Sequence, residues 1–350
     1  MKLLKKIISI VEALVFIITI IFSNSYKKTY AQAANEKQNP VKAAVLLYRS
    51  DDVYISLVRK SLEEIQKNNE GKIEFTFYDG KDNQEVQNQT IEMLLKSKGV
   101  DLILLNLVDV KSAYDIIDRI KEHNIPVVLF NREPFNITSV QSYSKAIYVG
   151  TNAAQAGMFQ GKILINLWNE NKAAIDINGD NVLQYVMLIG ELNNKEAIER
   201  TQYSVLTINN AGIETQELAS TVCNWNRETA KENFEPLFLH YDGRIEAIIS
   251  NNDEMAIGAI EVLQKYGYNK GDNTKKIAVV GIDAIPAAQE LIKNGEMTGS
   301  VFQDYSAMAE ACYVIGMNLV NDRSPLEGTA YKFDDTGVAV RIPYKEYIGK

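Results

Sequence analysis

Ala43-Ala44-Val45-Leu46-Leu47-Tyr48, followed at once by Arg49-Ser50-Asp51-Asp52-Val53-Tyr54, is the stretch on which the fold reading turns. An uncharged run bounded by polar residues reads as a strand buried on both faces. Directly after it, Tyr54, Val58, Leu62 and Ile65 recur at helical spacing. A buried strand feeding an amphipathic helix is the unit of α/β architecture, and the chain repeats it.

In the first half, further strands are expected at Ile73 to Tyr78, Leu102 to Leu107, Val127 to Phe130 and Ile147 to Gly150, with helices at Gln84 to Leu95 and Ser112 to Glu122. A second series starts near Thr151. Its strands are expected at Tyr185 to Ile189, Glu217 to Val222, Ala247 to Ser250, Ile277 to Ile282 and Gly299 to Phe302, each separated by a helical pattern. Tyr305 to Val320 reads as one more helix, and Tyr331 to Phe333 and Val338 to Ile342 as strands that suit either half. A chain of 350 residues exceeds one small core. The fold class is therefore α/β, with two doubly wound parallel-sheet lobes.

The first residues have another character. Lys2, Lys5 and Lys6 precede an apolar run from Ile7 to Phe22, and Ala31-Gln32-Ala33 fits a small-residue cleavage site. Residues 1–33 are expected to be a signal peptide or a membrane anchor, and 34–41 a linker. No cysteine near that site could carry a lipid. Residues 1–33 hold five lysines and one glutamate, so a net charge of −8 for the chain becomes −12 for the remainder. Such acidity argues against binding a phosphate backbone, and no nucleic acid is expected as a partner. Cys223 and Cys312 lack metal-site spacing and read as buried thiols or one bridge.

In open parallel sheets, ligands bind beyond the carboxyl ends of the strands. Those ends carry Asp51-Asp52-Val53-Tyr54, Asn131-Arg132-Glu133, Glu191 to Glu196, Trp225, Asn251-Asn252-Asp253, Asp283 and Gln303. Carboxylates and amides suit hydroxyl groups, and aromatic faces suit the C–H patches of a sugar ring. Taken singly, Asp52, Asn252 and Asp283 read better as helix caps, and Trp225 can be a core aromatic. Taken together they favour a cleft for a neutral polyol. His123 and His240 stand at helix ends far apart in the chain, and no catalytic motif is present, so an enzyme is not expected.

Residues 176–184 add a second signal. Asp176, Asn178, Asp180 and Gln184 stand at positions 1, 3, 5 and 9, with Val182 at position 7, which is the ligand spacing of a calcium loop. Asn181 replaces the usual glycine at position 6, and Met187 the bidentate glutamate at position 12. From spacing alone, a calcium site and a solvated polar turn stand level.

Six segments, in order and spacing, resemble the galactose/glucose-binding proteins of bacterial ABC transport, type I periplasmic binding proteins. They are Tyr48-Arg49-Ser50-Asp51-Asp52, Asn106-Leu107-Val108-Asp109, Phe130-Asn131-Arg132-Glu133-Pro134, Tyr148-Val149-Gly150-Thr151, Ser250-Asn251-Asn252-Asp253 and Gly281-Ile282-Asp283-Ala284. The resemblance implies a monosaccharide held between Tyr54 and Trp225, with polar contacts from Asp52, Asn131, Arg200, Asn252 and Asp283. Asn194, Glu196 and Gln303 replace a histidine, an aspartate and an asparagine of that pattern, which puts the choice of sugar in play. It also implies a structural Ca2+ held by Asp176, Asn178, Asp180, the Val182 carbonyl, Gln184 and Glu246.

A hinge of three crossings would then join an N-terminal lobe of 42–149 plus 305–340 to a C-terminal lobe of 152–302 plus 343–350. The expected function is that of an exported, monomeric sugar-binding protein, acting in the periplasm or at the outer face of the membrane. It would deliver glucose or galactose to an ABC permease by cleft closure. The alternative is a membrane-tethered sensor reporting to a histidine kinase or chemoreceptor.

Overall fold

The computed structural model describes residues 39–349 apart from 98, 242 and 272–274, so the expected export segment lies outside the described residues. From Val41 onward the chain forms one compact unit.

In chain order, the first lobe comprises β1 (Val41–Leu47), α1 (Val53–Asn68), β2 (Ile73–Asp79), α2 (Gln84–Ser97), β3 (Leu102–Leu105), α3 (Ala113–Glu122), β4 (Val127–Phe130), a single-turn α4 (Thr138–Gln141) and β5 (Ala146–Gly150). The second comprises α5 (Ala153–Glu170), β6 (Val182–Ile189), α6 (Lys195–Asn210), β7 (Glu214–Val222), α7 (Arg227–His240), β8 (Ala247–Ser250), α8 (Asp253–Lys265), β9 (Ala278–Asp283), α9 (Pro286–Lys293) and β10 (Gly299–Phe302). The chain then returns to the first lobe through α10 (Tyr305–Val320) and β11 (Ala339–Arg341), and finishes in the second with β12 (Lys345–Tyr347).

The sheets run β11-β5-β4-β3-β1-β2 and β12-β10-β9-β8-β6-β7. Every neighbouring pair is parallel except β10 with β12. Alternation along β1 shows why the strands are almost wholly apolar. Val45 and Leu47 pack on the face covered by α1 and α10, whereas Ala44 and Leu46 pack on the face covered by α2 and α3. The second sheet is likewise covered on both faces. Each face adds burial worth about 25 cal/mol per Å² of apolar surface.

Residues 331–333 depart from the sequence expectation. They form no strand, and only Phe333 makes a bridge, to Val340. The reason is local: Asp334 turns the chain, its N–H donating to the Ala339 carbonyl at 2.8 Å and its carboxylate accepting from Arg341 Nε at 2.8 Å. The two cysteines are buried, free and in opposite lobes, so the alternative of a bridge between them falls. Among the described residues no helix is long and apolar enough to cross a membrane.

Candidate functional site

All ten residues singled out from the sequence for a sugar line one cavity between the lobes, together with Tyr48 and Arg132. The cavity is narrow, about 40 Å³ in volume, and one side of it opens to solvent.

The first lobe presents the ends of β1 and β4. Asp52 caps α1, its Oδ1 accepting from Ile55 N at 2.9 Å, while its Oδ2 accepts from the Tyr48 hydroxyl at 2.6 Å. Capping and lining the cleft are thus tasks of the same side chain. Tyr54 lies in the first turn of α1, and its hydroxyl is 3.7 Å from Met308 Sδ on α10. Asn131 follows β4 in the left-handed region, at φ 62°, which asparagine tolerates better than most residues. The Tyr148 hydroxyl pins that turn by donating to the Asn131 carbonyl at 2.7 Å.

The second lobe contributes more. Asn194 caps α6 and Asn252 caps α8, accepting from Ala197 N and Met255 N at 3.1 and 3.0 Å. Glu196, in the first turn of α6, accepts at Oε1 from Glu133 N of the first lobe at 2.8 Å. Its Oε2 is buried without a partner. Arg200, one turn further on, donates from Nη1 to the Asn251 carbonyl and from Nη2 to Gln303 Oε1 and the Tyr344 hydroxyl, each at 2.8 Å. Its Nε is buried with no partner.

Trp225 follows β7 with φ 59°, and its indole rests on Gly190, where a Cβ would come within 2.3 Å of the ring. Only glycine leaves room for that seat. Asp283 ends β9 with φ 115°, followed by Ala284 at φ 49°. This strained turn is braced from behind. Ser300 Oγ accepts from Ala284 N at 3.0 Å and donates to Asp253 Oδ1 at 2.6 Å, while Asp253 Oδ2 accepts from Ile285 N at 2.9 Å.

Burial pushes the Asp283 carboxyl well above the ordinary carboxylate range, against the pull of Arg200. Burial raises Glu196 too, despite the N–H groups of Glu133 and its own backbone. Unpaired buried acceptors and donors beside two aromatic rings can bind a polyhydroxylated ring, giving each hydroxyl a partner and each C–H face an aromatic surface. Neither histidine lies in this lining.

Further residues close the lobes on one another. Arg132 pairs with Glu191 through both guanidinium nitrogens at 2.9 Å. Glu133 takes Lys195 of the second lobe at 2.7 Å and, within its own lobe, Arg341 at 2.5 Å. Arg132, Glu133 and Glu191 stand at strand ends, the positions where the sequence pattern already points to ligand residues. Tyr344 carries no such signal, because it sits behind Arg200 on the last crossing rather than after a strand of either series.

The polar loop before β6 is assembled against Glu246. Ile177 N and Gln184 N donate to its two oxygens at 2.7 and 3.0 Å. Asp180 accepts from Val182 N at 2.9 Å and from the Gln184 and Asn178 amides at 2.8 and 3.0 Å. Asn181 takes the left-handed conformation, φ 67°, otherwise expected of glycine. Asp176 is buried, and its Oδ1 has no hydrogen-bond partner. An orphaned carboxylate oxygen beside amide and carboxylate oxygens is a hard donor set that fits a calcium ion. Among the described residues no group of three His, Cys, Asp or Glu gathers as a metal cluster.

The periplasmic binding protein domain model matches residues 43–324. The chain is 37% identical over 301 residues to the D-galactose/methyl-galactoside binding periplasmic protein of Haemophilus influenzae, covering 86% of this chain and 87% of that one. Among solved structures, it superposes on an ABC transporter solute binding protein from Bacillus halodurans with bound myo-inositol. That match has a TM-score of 0.72 and 25% identity, over 90% and 96% of the two chains. A glucose-galactose binding protein from Geobacillus stearothermophilus shares the fold, with a TM-score of 0.67 and 17% identity over 89% and 98%.

Proposed function

The chain belongs to the periplasmic binding protein domain family, and on that premise we propose that it is an exported monosaccharide-binding protein delivering glucose or galactose to an ABC permease. One observation carries the reading. The closed cleft sets Tyr54 and Trp225 beside buried polar atoms that lack partners, Glu196 Oε2 and Arg200 Nε. Sugar hydroxyls satisfy those atoms, and the sugar favours closure because only the closed state offers contacts from both lobes. Hinge closure around a ligand is the general behaviour of periplasmic binding proteins.

In this reading Asp52, Asn131, Asn194, Glu196, Arg200, Asn252, Asp283 and Gln303 hold hydroxyl groups. Glucose and galactose lead because of the galactoside-binding relative and the six matching segments. Asp176, Asn178, Asp180, Val182 through its carbonyl, Gln184 and Glu246 would hold Ca2+. Once bound, it would supply positive charge between the loop and the sheet. Glu246 already joins both by its two backbone contacts.

The test is calorimetric titration of the exported protein with glucose, galactose, xylose, ribose and arabinose. Glucose or galactose should bind most tightly. Binding of a pentose alone would correct the sugar, and no binding by any of the five would remove the assignment.

A further inference from the structure

Glu191, on the loop after β6, touches both lobes and the indole at once. Its Oε1 accepts from Trp225 Nε1 at 2.9 Å, while both oxygens receive the guanidinium fork of Arg132, each at 2.9 Å. Arg132 belongs to the first lobe, is almost wholly buried, and is steadied by donating to the Val108 carbonyl at 2.9 Å and by lying 4.5 Å over the Tyr48 ring. Bidentate, charge-assisted pairs of this kind are strongly directional. Burial by itself would raise the Glu191 carboxyl, yet Arg132 and the indole N–H hold it below its ordinary range.

Apart from Glu191, the charged group nearest the face of Trp225 is the Arg200 guanidinium, 5.7 Å over the ring. The indole is seated on Gly190, and Nε1 is its single donor. Opening the cleft carries Arg132 away with the first lobe and leaves the Glu191 carboxylate, still beside the indole, to solvent. The geometry points to Glu191 as the positioning residue that makes lobe closure and the seating of Trp225 a single event. This inference rests on the reading of the cleft as a sugar site.

The chain has only one other tryptophan, Trp168, so a Trp168→Phe background isolates the emission of Trp225. In that background, Glu191→Gln keeps an acceptor for the indole and removes the charge that Arg132 grips. It should weaken galactose or glucose binding about 10- to 100-fold, chiefly through faster dissociation. It should also shrink the sugar-induced change in Trp225 emission. Arg132→Gln should do the same, and the double variant should bind no worse than either single one.

Wild-type affinity and an unaltered emission change in Glu191→Gln would overturn the proposal, as would losses that multiply in the double variant. Should the wild-type chain bind no monosaccharide, the sugar reading would fall by itself. The coupling would then be read in sugar-free protein, where Glu191→Gln should shift Trp225 emission and raise the radius of gyration in small-angle scattering. No change in either would overturn it.

Discussion

The two lobes share a strand order, β2-β1-β3-β4-β5 in one and β7-β6-β8-β9-β10 in the other, but they build their halves of the cleft differently. In the first, the cavity residues sit in relaxed backbone except Asn131. In the second, Trp225 and Asp283 lie in left-handed or strained conformations, each beside a neighbour that does too, Asn224 and Ala284. Such conformations cost on the order of 1–3 kcal/mol each and persist only where packing enforces them. Here the Gly190 seat and the Asp253–Ser300 brace enforce them. The second lobe is therefore the more rigidly shaped half of the cleft.

Arg200→Ala should break this arrangement most severely. It strands the Asn251 carbonyl, Gln303 and Tyr344 and leaves Glu196 and Asp283 without their cation. Removing one partner of a buried charged network costs about 3–5 kcal/mol, so calorimetry should find sugar affinity reduced at least a hundredfold. An affinity close to wild type would deny the second lobe its leading part.

Chelation with EDTA comes next, and it sharpens the contrast because the polar loop has no counterpart in the first lobe. Withdrawing an ion present at a hundred times its dissociation constant removes about 2.7 kcal/mol. Differential scanning calorimetry should show a lower melting temperature, absent in Asp176→Asn, which should already melt early. An unchanged melting curve would eliminate the metal.

Gly190→Ala tests the seat of Trp225. A methyl group 2.3 Å from the ring forces the indole to move, with a cost of about 1–3 kcal/mol. Affinity should fall roughly tenfold to a hundredfold while the fold, followed by circular dichroism, persists. Asn131→Ala, in the first lobe, should have the smallest effect, near 1 kcal/mol for one hydrogen-bonding side chain. If it matched Arg200→Ala in a titration, the asymmetry between lobes would be lost.

Most of this architecture is legible in the sequence, for a physical reason. Parallel strands buried on both faces are near-continuous apolar runs, and their carboxyl ends are where polar residues gather. Asp52, Asn131, Asn252 and Asp283 announce themselves by that position. Tyr54 does so too, in the run that follows β1, whereas Arg200 projects from the body of a helix and only the pattern of a known family singles it out. Whether a polar residue caps a helix or faces the cleft is a false choice at Asp52, Asn194 and Asn252, which do both. The fork between Arg132 and Glu191 is out of reach of sequence, because it depends on how two lobes meet. Residues 331–333 mislead because aromatic, extended-looking sequence pairs only if a partner strand runs far enough beside it.

The hydroxyl of Tyr344 joins the three connections between lobes. It lies 2.8 Å from Thr151 Oγ1 on the first, 3.1 Å from Gln303 Oε1 on the second, and belongs itself to the third. One oxygen is thus a fulcrum common to all three strands of the joint. Because Arg200 donates to the same oxygen, a sugar held by Arg200 would sit beside the axle, where a given rotation displaces atoms least. A small misfit at such a sugar would then be magnified along the lever into a large gap at the far rim. A docking partner that inspects only the rim would in this way be reading the chemistry of the ring.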